Sequence, residues 1–301
     1  MKICVIGAGS FGRALAGLLR GKWGEDTVCV WKRGADLAAC LEGADFAVYA
    51  VPAQAFREVF SQSVPFLSSE TIVINAAKGI ELTTLDRLSQ VAEELRPGTR
   101  YAALSGPSHA EEIEQELPTT VTVCSEDEDA ALKAQDLFMT DNFRVYTASD
   151  MAGVESGGAL KNVIALAAGI SDGLGFGDNT KAALMTRGMA EITRLGLALG
   201  AKQETFLGLT GFGDLIVTCT SMHSRNRRCG ILLGQGVPPE DAIAQIGMVV
   251  EGASTARAAF RLAEKLGVDM PITAAVCAIL DGRIDPRDAV GMLMTRKRKP
   301  E

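Results

Sequence analysis

At 301 residues, 47% apolar and 22% charged, the chain is long enough for two domains and has the composition of an ordinary globular protein. Thirty basic against thirty-seven acidic residues leave a formal charge of −7, which argues against a general nucleic-acid binder and against adhesion to anionic membranes; an anionic ligand has to be captured by local cations. No apolar run reaches bilayer length, a glycine-rich corner at residue 7 comes too early for a cleaved signal peptide, and seven cysteines without a C-x-x-C pair read as reduced core thiols, so a cytoplasmic protein with no membrane insertion and no metal site is expected.

The first half alternates short β-branched runs with helical patterns, the arrangement a doubly wound parallel sheet requires. Strands are expected at Lys2–Ile6, Thr27–Trp31, Phe46–Val51, Thr71–Asn75, Tyr101–Leu104, Thr119–Cys124 and Phe143–Thr147. Between the first strand and the helix after it lies VIGAGSFGRALA, with Gly7, Gly9 and Gly12 at G-x-G-x-x-G spacing. That spacing suits either a tight turn or a dinucleotide; a buried strand before it and free helix N–H groups after it favour a bound pyrophosphate. The second strand ends in Trp31, Lys32 and Arg33, where an acidic side chain would receive a ribose hydroxyl. Glu25 and Asp26 stand at its other end. Cations there suit a 2′-phosphate and favour NADP, or dual use, over strict NAD. The later segments VPAQAF, AAKGIE and LSGPSHAEE fall at strand ends, where open α/β sheets bind ligands; VPAQ is placed beside the cofactor, and Lys78 and residues 105–108 beside the substrate.

After residue 148 the chain turns to long Ala/Leu/Gly segments of helical period, which predicts an all-helical domain over 149–301 behind a dinucleotide-binding domain over 1–148. Lys161 lies among Leu160, Val163, Ile164 and Leu166, with Gly157 and Gly158 leaving room near it. Such a lysine either snorkels to water or, desolvated, exchanges a proton with a hydroxyl or carbonyl oxygen. Asp214 would cap a helix or pair with it. In SRNRR, Ser224 is an N-cap without a capping-box partner, so an anion could complement the helix end, with Arg225 and Asn226 as donors. His109 and His223 read as ordinary loop residues, and the basic TRKRKPE end as a solvated tail.

Taken in order, GAGSFG, VPAQAFREV, AAKGIE, LSGPSHAEE, the block from Glu155 to Gly230 and VVEG resemble the bacterial-type NAD(P)-dependent glycerol-3-phosphate dehydrogenases. The resemblance implies a Rossmann-type α/β domain followed by an all-α domain, the 6-phosphogluconate dehydrogenase-like architecture. It also implies reversible NAD(P)H-dependent reduction of dihydroxyacetone phosphate to sn-glycerol 3-phosphate, a precursor of glycerophospholipids, in a homodimer. On that footing Lys161 protonates the carbonyl oxygen, and Lys78 and Asp214 hold substrate oxygens beside it. Ser224, Arg225 and Asn226 take the phosphate, Gly106 and Ser108 form a loop over the substrate, and Thr218 stands near it. Gly7, Gly9, Ser10, Phe11, Gly12, Arg33, Lys78, Ala110, Arg225, Val249 and Glu251 face the cofactor. One departure is the connection of eleven residues between Arg33 and Asp45, shorter than the family's, which opens the adenosine end. The rival readings are a related reductase of another small ketone or hydroxyacid, such as ketopantoate, and a non-catalytic NAD(P)-sensing protein.

Overall fold

The computed structural model describes residues 1–297. Seven strands form one sheet in the order β2-β1-β3-β4-β5-β6-β7: β1 Ile3–Ile6, β2 Val28–Trp31, β3 Phe46–Tyr49, β4 Ile72–Asn75, β5 Tyr101–Ser105, β6 Thr119–Cys124 and β7 Phe143–Ala148. The strands lie where the sequence predicts them, with ends shifted by one or two residues. The central runs ICVI, FAVY, IVIN and YAALS are buried throughout, as strands covered on both faces must be. Alternation divides them: Ile3 and Val5 face α1 (Ser10–Trp23), α5 (Ala110–Glu114) and α6 (Glu128–Phe138). Cys4 and Ile6 face α2 (Leu37–Leu41), α3 (Phe56–Ser63) and α4 (Leu88–Leu95).

The expectation of a wholly parallel sheet is corrected at one seam. Strand β6 pairs antiparallel with β5 and parallel with β7. The connection 106–118 holds only the five-residue α5, so the chain turns back beside β5 instead of crossing over the sheet. All seven cysteines are free, six of them buried.

Beyond β7 every regular element among the described residues is helical. Helix α7 (Met151–Gly173) is largely apolar and buried along most of its length, as the axis of a helical core has to be. Around it pack α8 (Asp178–Ala198), α9 (Asp214–Thr220), α10 (Arg225–Gly234), α12 (Glu251–Leu266) and α13 (Pro271–Leu280), while α11 (Pro239–Ile246) packs on α10 and α14 (Pro286–Met294) on α13 and α10. Helices α7 and α10 meet through Gly169 and Gly173 on one side and Gly230 and Gly234 on the other. A Cβ on Gly230 would overlap the Leu166 carbonyl oxygen and lie 2.9 Å from the Gly169 Cα. At the start of α7, Glu155 accepts hydrogen bonds from Arg87 Nη1 (2.9 Å), the Ser89 N–H (2.9 Å) and Tyr101 Oη (3.0 Å), tying the helical core to α4 and β5. Among the described residues no helix is long and apolar enough to cross a membrane. Of the basic end, Arg296 pairs with Asp269 at 2.7 Å, and residues 298–301 lie outside the described residues.

Candidate active site

A cleft of about 380 Å³ opens between the carboxyl ends of the central strands and the helical core. Its first wall is the glycine corner. Gly7 has φ +119°, and a Cβ there would stand 2.6 Å from the Ala50 carbonyl oxygen; one on Gly12 would overlap the Gly7 carbonyl oxygen. Gly9 has nothing within 4 Å of its Cβ direction and lines the cleft with Ser10 and Phe11. One glycine therefore makes the turn, one brings α1 against β1, and the middle one leaves backbone open to a ligand at the helix N-terminus. Ala50, Val51 and Pro52 after β3, and Ala76 to Lys78 after β4, continue this wall.

The opposite wall brings a second lysine to face Lys78. Lys161, on α7, is 6% exposed, and its Nζ donates to Asp214 Oδ1 and, at 2.9 Å, to Thr218 Oγ1. Lys78 Nζ donates to Asp214 Oδ2 and the Gly106 carbonyl, both at 2.8 Å, and to Ser108 Oγ at 3.4 Å. One buried carboxylate thus serves two ammonium groups, one from each side of the cleft, leaving a net positive centre. Burial pushes the Lys161 ammonium down from its ordinary 10.5 to about 7; Lys78 adds to the shift and Asp214 opposes it. Burial alone would raise the Asp214 carboxyl, but Lys161 and Lys78 outweigh it and hold the group below its usual range. A π-helical turn over Leu209–Gly213 delivers Asp214 into the first turn of α9, so the aspartate is an ion-pair centre and not the helix cap it resembles in sequence. The room made by Gly157 and Gly158 is filled by the protein itself. A Cβ on Gly157 would lie 2.6 Å from the Thr210 carbonyl oxygen, and one on Gly158 2.7 Å from Ser105 Oγ and 3.7 Å from the Lys78 stem.

Ser224, Arg225 and Asn226, at the start of α10, line the same cleft. Ser224 Oγ accepts from the Arg227 N–H and caps the helix unaided, while Arg227 turns away to Asp172 at 2.7 Å. Asn226 is more committed than expected. Its Oδ1 accepts from the Gly252 N–H (2.9 Å) and its Nδ2 donates to Asn162 Oδ1 (2.9 Å), which leaves one N–H for a ligand. Ala110, Val249 and Glu251 also line the cleft. Glu251 Oε1 accepts from the Ala53 N–H across it (3.0 Å), and Oε2 is buried with no partner. Burial raises the Glu251 carboxyl above its ordinary value, against the pull of the Ala53 N–H and Arg225. The open glycine corner, on a cleft that Glu251 also lines, fits a dinucleotide.

Most of the residues singled out in the sequence are therefore brought together, with Gly7, Gly12, Gly106 and Asp214 directly behind the surface. Arg33 stands apart, exposed on the turn after β2. Sequence reasoning missed His109, Asn162 and His223, which all line the cleft; the two imidazole rings lie 5.7 Å apart. The available signal was adjacency, since His109 sits between Ser108 and Ala110 and Asn162 follows Lys161.

A glycine-cornered α/β sheet whose ligand edge is closed by a lysine from a buried helix is the build of a two-domain, nicotinamide-nucleotide-dependent oxidoreductase. The comparisons with known proteins agree. Models of the NAD-dependent glycerol-3-phosphate dehydrogenase N-terminus and C-terminus match residues 32–131 and 150–291. A glycerol-3-phosphate dehydrogenase (NAD(P)+) of Clostridium perfringens is 49% identical over 100% of this chain and 99% of its own length. One from Pelotomaculum thermopropionicum is 50% identical over 100% and 95%. The crystal structure of the Coxiella burnetii glycerol-3-phosphate dehydrogenase superposes with a TM-score of 0.93 at 36% identity, covering 98% of this chain and 99% of that one. The chain belongs to the NAD-dependent glycerol-3-phosphate dehydrogenase family. The alignment with the Clostridium protein runs over 329 positions, at least 28 more than the 301 residues here, in keeping with the short connection after Arg33. A ketopantoate reductase of Ralstonia eutropha, at 14% identity and TM-score 0.64, shares the fold alone.

Proposed function

We propose that the protein catalyses the reversible NAD(P)H-dependent reduction of dihydroxyacetone phosphate to sn-glycerol 3-phosphate, at the cleft where Lys78 and Lys161 share Asp214. That shared carboxylate carries the reading. It places a buried ammonium with a pKa of about 7 beside the corner that receives the dinucleotide. When bound, the reduced nicotinamide supplies the hydride. Two of the three Lys161 N–H bonds are spent on Asp214 and Thr218; the third is left for the substrate's carbonyl oxygen, to which it yields a proton as that oxygen becomes an alkoxide. The neutral amine that results is the form burial favours. All three Lys78 N–H bonds are engaged by Gly106, Ser108 and Asp214, so Lys78 acts as a fixed positive charge. Arg225, with the open N–H groups at the start of α10, the Ser224 hydroxyl and the remaining Asn226 N–H, receives the phosphate.

In this reading residues 1–148 hold the cofactor and 149–301 the substrate, in the 6-phosphogluconate dehydrogenase-like manner. Gly9, Ser10 and Phe11 take the pyrophosphate, and Lys78, Ala110, Arg225, Val249 and Glu251 surround the nicotinamide half. Lys32 and Arg33 favour NADPH over NADH through the 2′-phosphate. A cytoplasmic homodimer supplying glycerophospholipid synthesis accords with the family. The test is the fall in nicotinamide absorbance when dihydroxyacetone phosphate is added with NADPH or NADH at matched subsaturating concentrations. Rapid oxidation with either cofactor is expected; none, in protein shown to bind one of them, contradicts the proposal.

A further inference from the structure

Around Lys161 the cleft is rich in donors and short of acceptors. Asp214 gives its two oxygens to Lys161 and Lys78, Thr218 Oγ1 accepts from Lys161, and Ser108 Oγ accepts from Lys78. Asn162 Oδ1 accepts from Asn226, and Asn226 Oδ1 from the Gly252 N–H. His109 differs from all of these. It lines the cleft at the head of α5, and its Nε2 is buried with no hydrogen-bond partner. Buried polar atoms in folded proteins are paired, and one left unpaired on the wall of a ligand cleft is a place where the ligand supplies the partner.

The proposed substrate has a group that asks for such an atom. Dihydroxyacetone phosphate carries a phosphate, a carbonyl and a free hydroxymethyl group. The cations and the α10 N-terminus answer the phosphate, and Lys161 answers the carbonyl. The hydroxymethyl O–H needs an acceptor. Resting on the reading that dihydroxyacetone phosphate is the substrate, we infer that His109 is the residue that recognises the hydroxymethyl end, its Nε2 accepting the hydroxyl proton of the bound ketone.

The imidazole is suited to accept. Burial, and after it the Lys161 ammonium, lower its pKa from the ordinary 6.5, against the pull of the Val217 backbone, Asp214 and Glu112, and so favour the neutral ring. Nε2 has no partner within the protein, so in the Nδ1–H tautomer its lone pair is left for a ligand. Two other acceptors stand on this part of the wall: the His223 ring, 5.7 Å away, is exposed to water, and Glu111 is half-buried and carries a negative charge that disfavours a phosphorylated substrate.

The experiment compares kcat/KM for dihydroxyacetone phosphate and for hydroxyacetone phosphate, which has a methyl group in place of the hydroxymethyl, at saturating NADPH. The wild type is expected to favour the hydroxylated ketone. His109→Phe should lose about tenfold or more on dihydroxyacetone phosphate and less than about twofold on the methyl ketone, so that the preference collapses. His109→Gln, which restores an acceptor, should regain part of it, and Glu111→Gln should leave it intact. The activity retained on the methyl ketone reports that the variant is folded. Equal losses on both ketones, no loss on either, or collapse of the preference in Glu111→Gln instead would overturn the assignment. A wild type that reduces both ketones equally would also overturn it while sparing the proposed reaction. Only a wild type that reduces neither would count against the reaction itself.

Discussion

Lys161 shows how a residue's chemistry is decided by partners far along the chain. Its own segment fits a snorkelling lysine as well as a buried one, because local periodicity reports the helix face and says nothing about what meets it. Asp214 and Thr218, the partners that keep it buried, lie 53 and 57 residues away. Family motifs singled the lysine out; geometry supplies its surroundings. For His109 the sequence offered only a loop position, and the missing partner of its Nε2 becomes visible once the acceptors around it are counted. The pKa of about 7 carries a directional prediction. In the proposed reaction ketone reduction needs the protonated ammonium, so its kcat/KM should fall as pH rises through about 7. Oxidation of sn-glycerol 3-phosphate needs the free amine, so its kcat/KM should rise over the same range. Opposed limbs in the two directions, measured at saturating cofactor and subsaturating substrate, would bear this out; parallel profiles would assign the titration to another group.

At the scale of elements, the strands were legible because β-branched runs buried on both faces leave a plain mark on the sequence. The direction of β6 was not, since a five-residue helix in a connection gives no sign of whether the chain crosses the sheet or turns back. The seam between α7 and α10 was equally hidden. Its glycines are spaced four apart on each helix, and only the crossing shows that Gly169 and Gly173 face Gly230 and Gly234. Because α10 begins with Arg225 and Asn226, the seam sets where those side chains stand. Gly230→Ala would drive a methyl group into the Leu166 carbonyl and push α10 outward. A destabilisation of about 1–3 kcal/mol in denaturant titration is expected. KM for dihydroxyacetone phosphate should rise more than kcat falls. Unchanged stability and KM would mean that the helices slide apart at no cost to the site.

Across the whole molecule, a chain of formal charge −7 still gathers Lys78, Lys161 and Arg225 at one cleft, which makes that cleft locally receptive to an anion. Asp214 lies behind the surface of that cleft, between the two lysines. Lys32 and Arg33 stand exposed on the turn between β2 and the short α2, where the proposed reading puts the adenosine. Replacing both with alanine should lower the kcat/KM ratio of NADPH to NADH by about tenfold and leave the kcat with NADH near wild type; an unchanged ratio would mean that these cations are solvated charges unrelated to the cofactor. The most direct test of the central claim is turnover of Lys161→Ala with dihydroxyacetone phosphate, with cofactor binding followed separately by nicotinamide fluorescence. The account predicts a fall in kcat of at least about a hundredfold with cofactor affinity preserved. Turnover within a few-fold of wild type would contradict it.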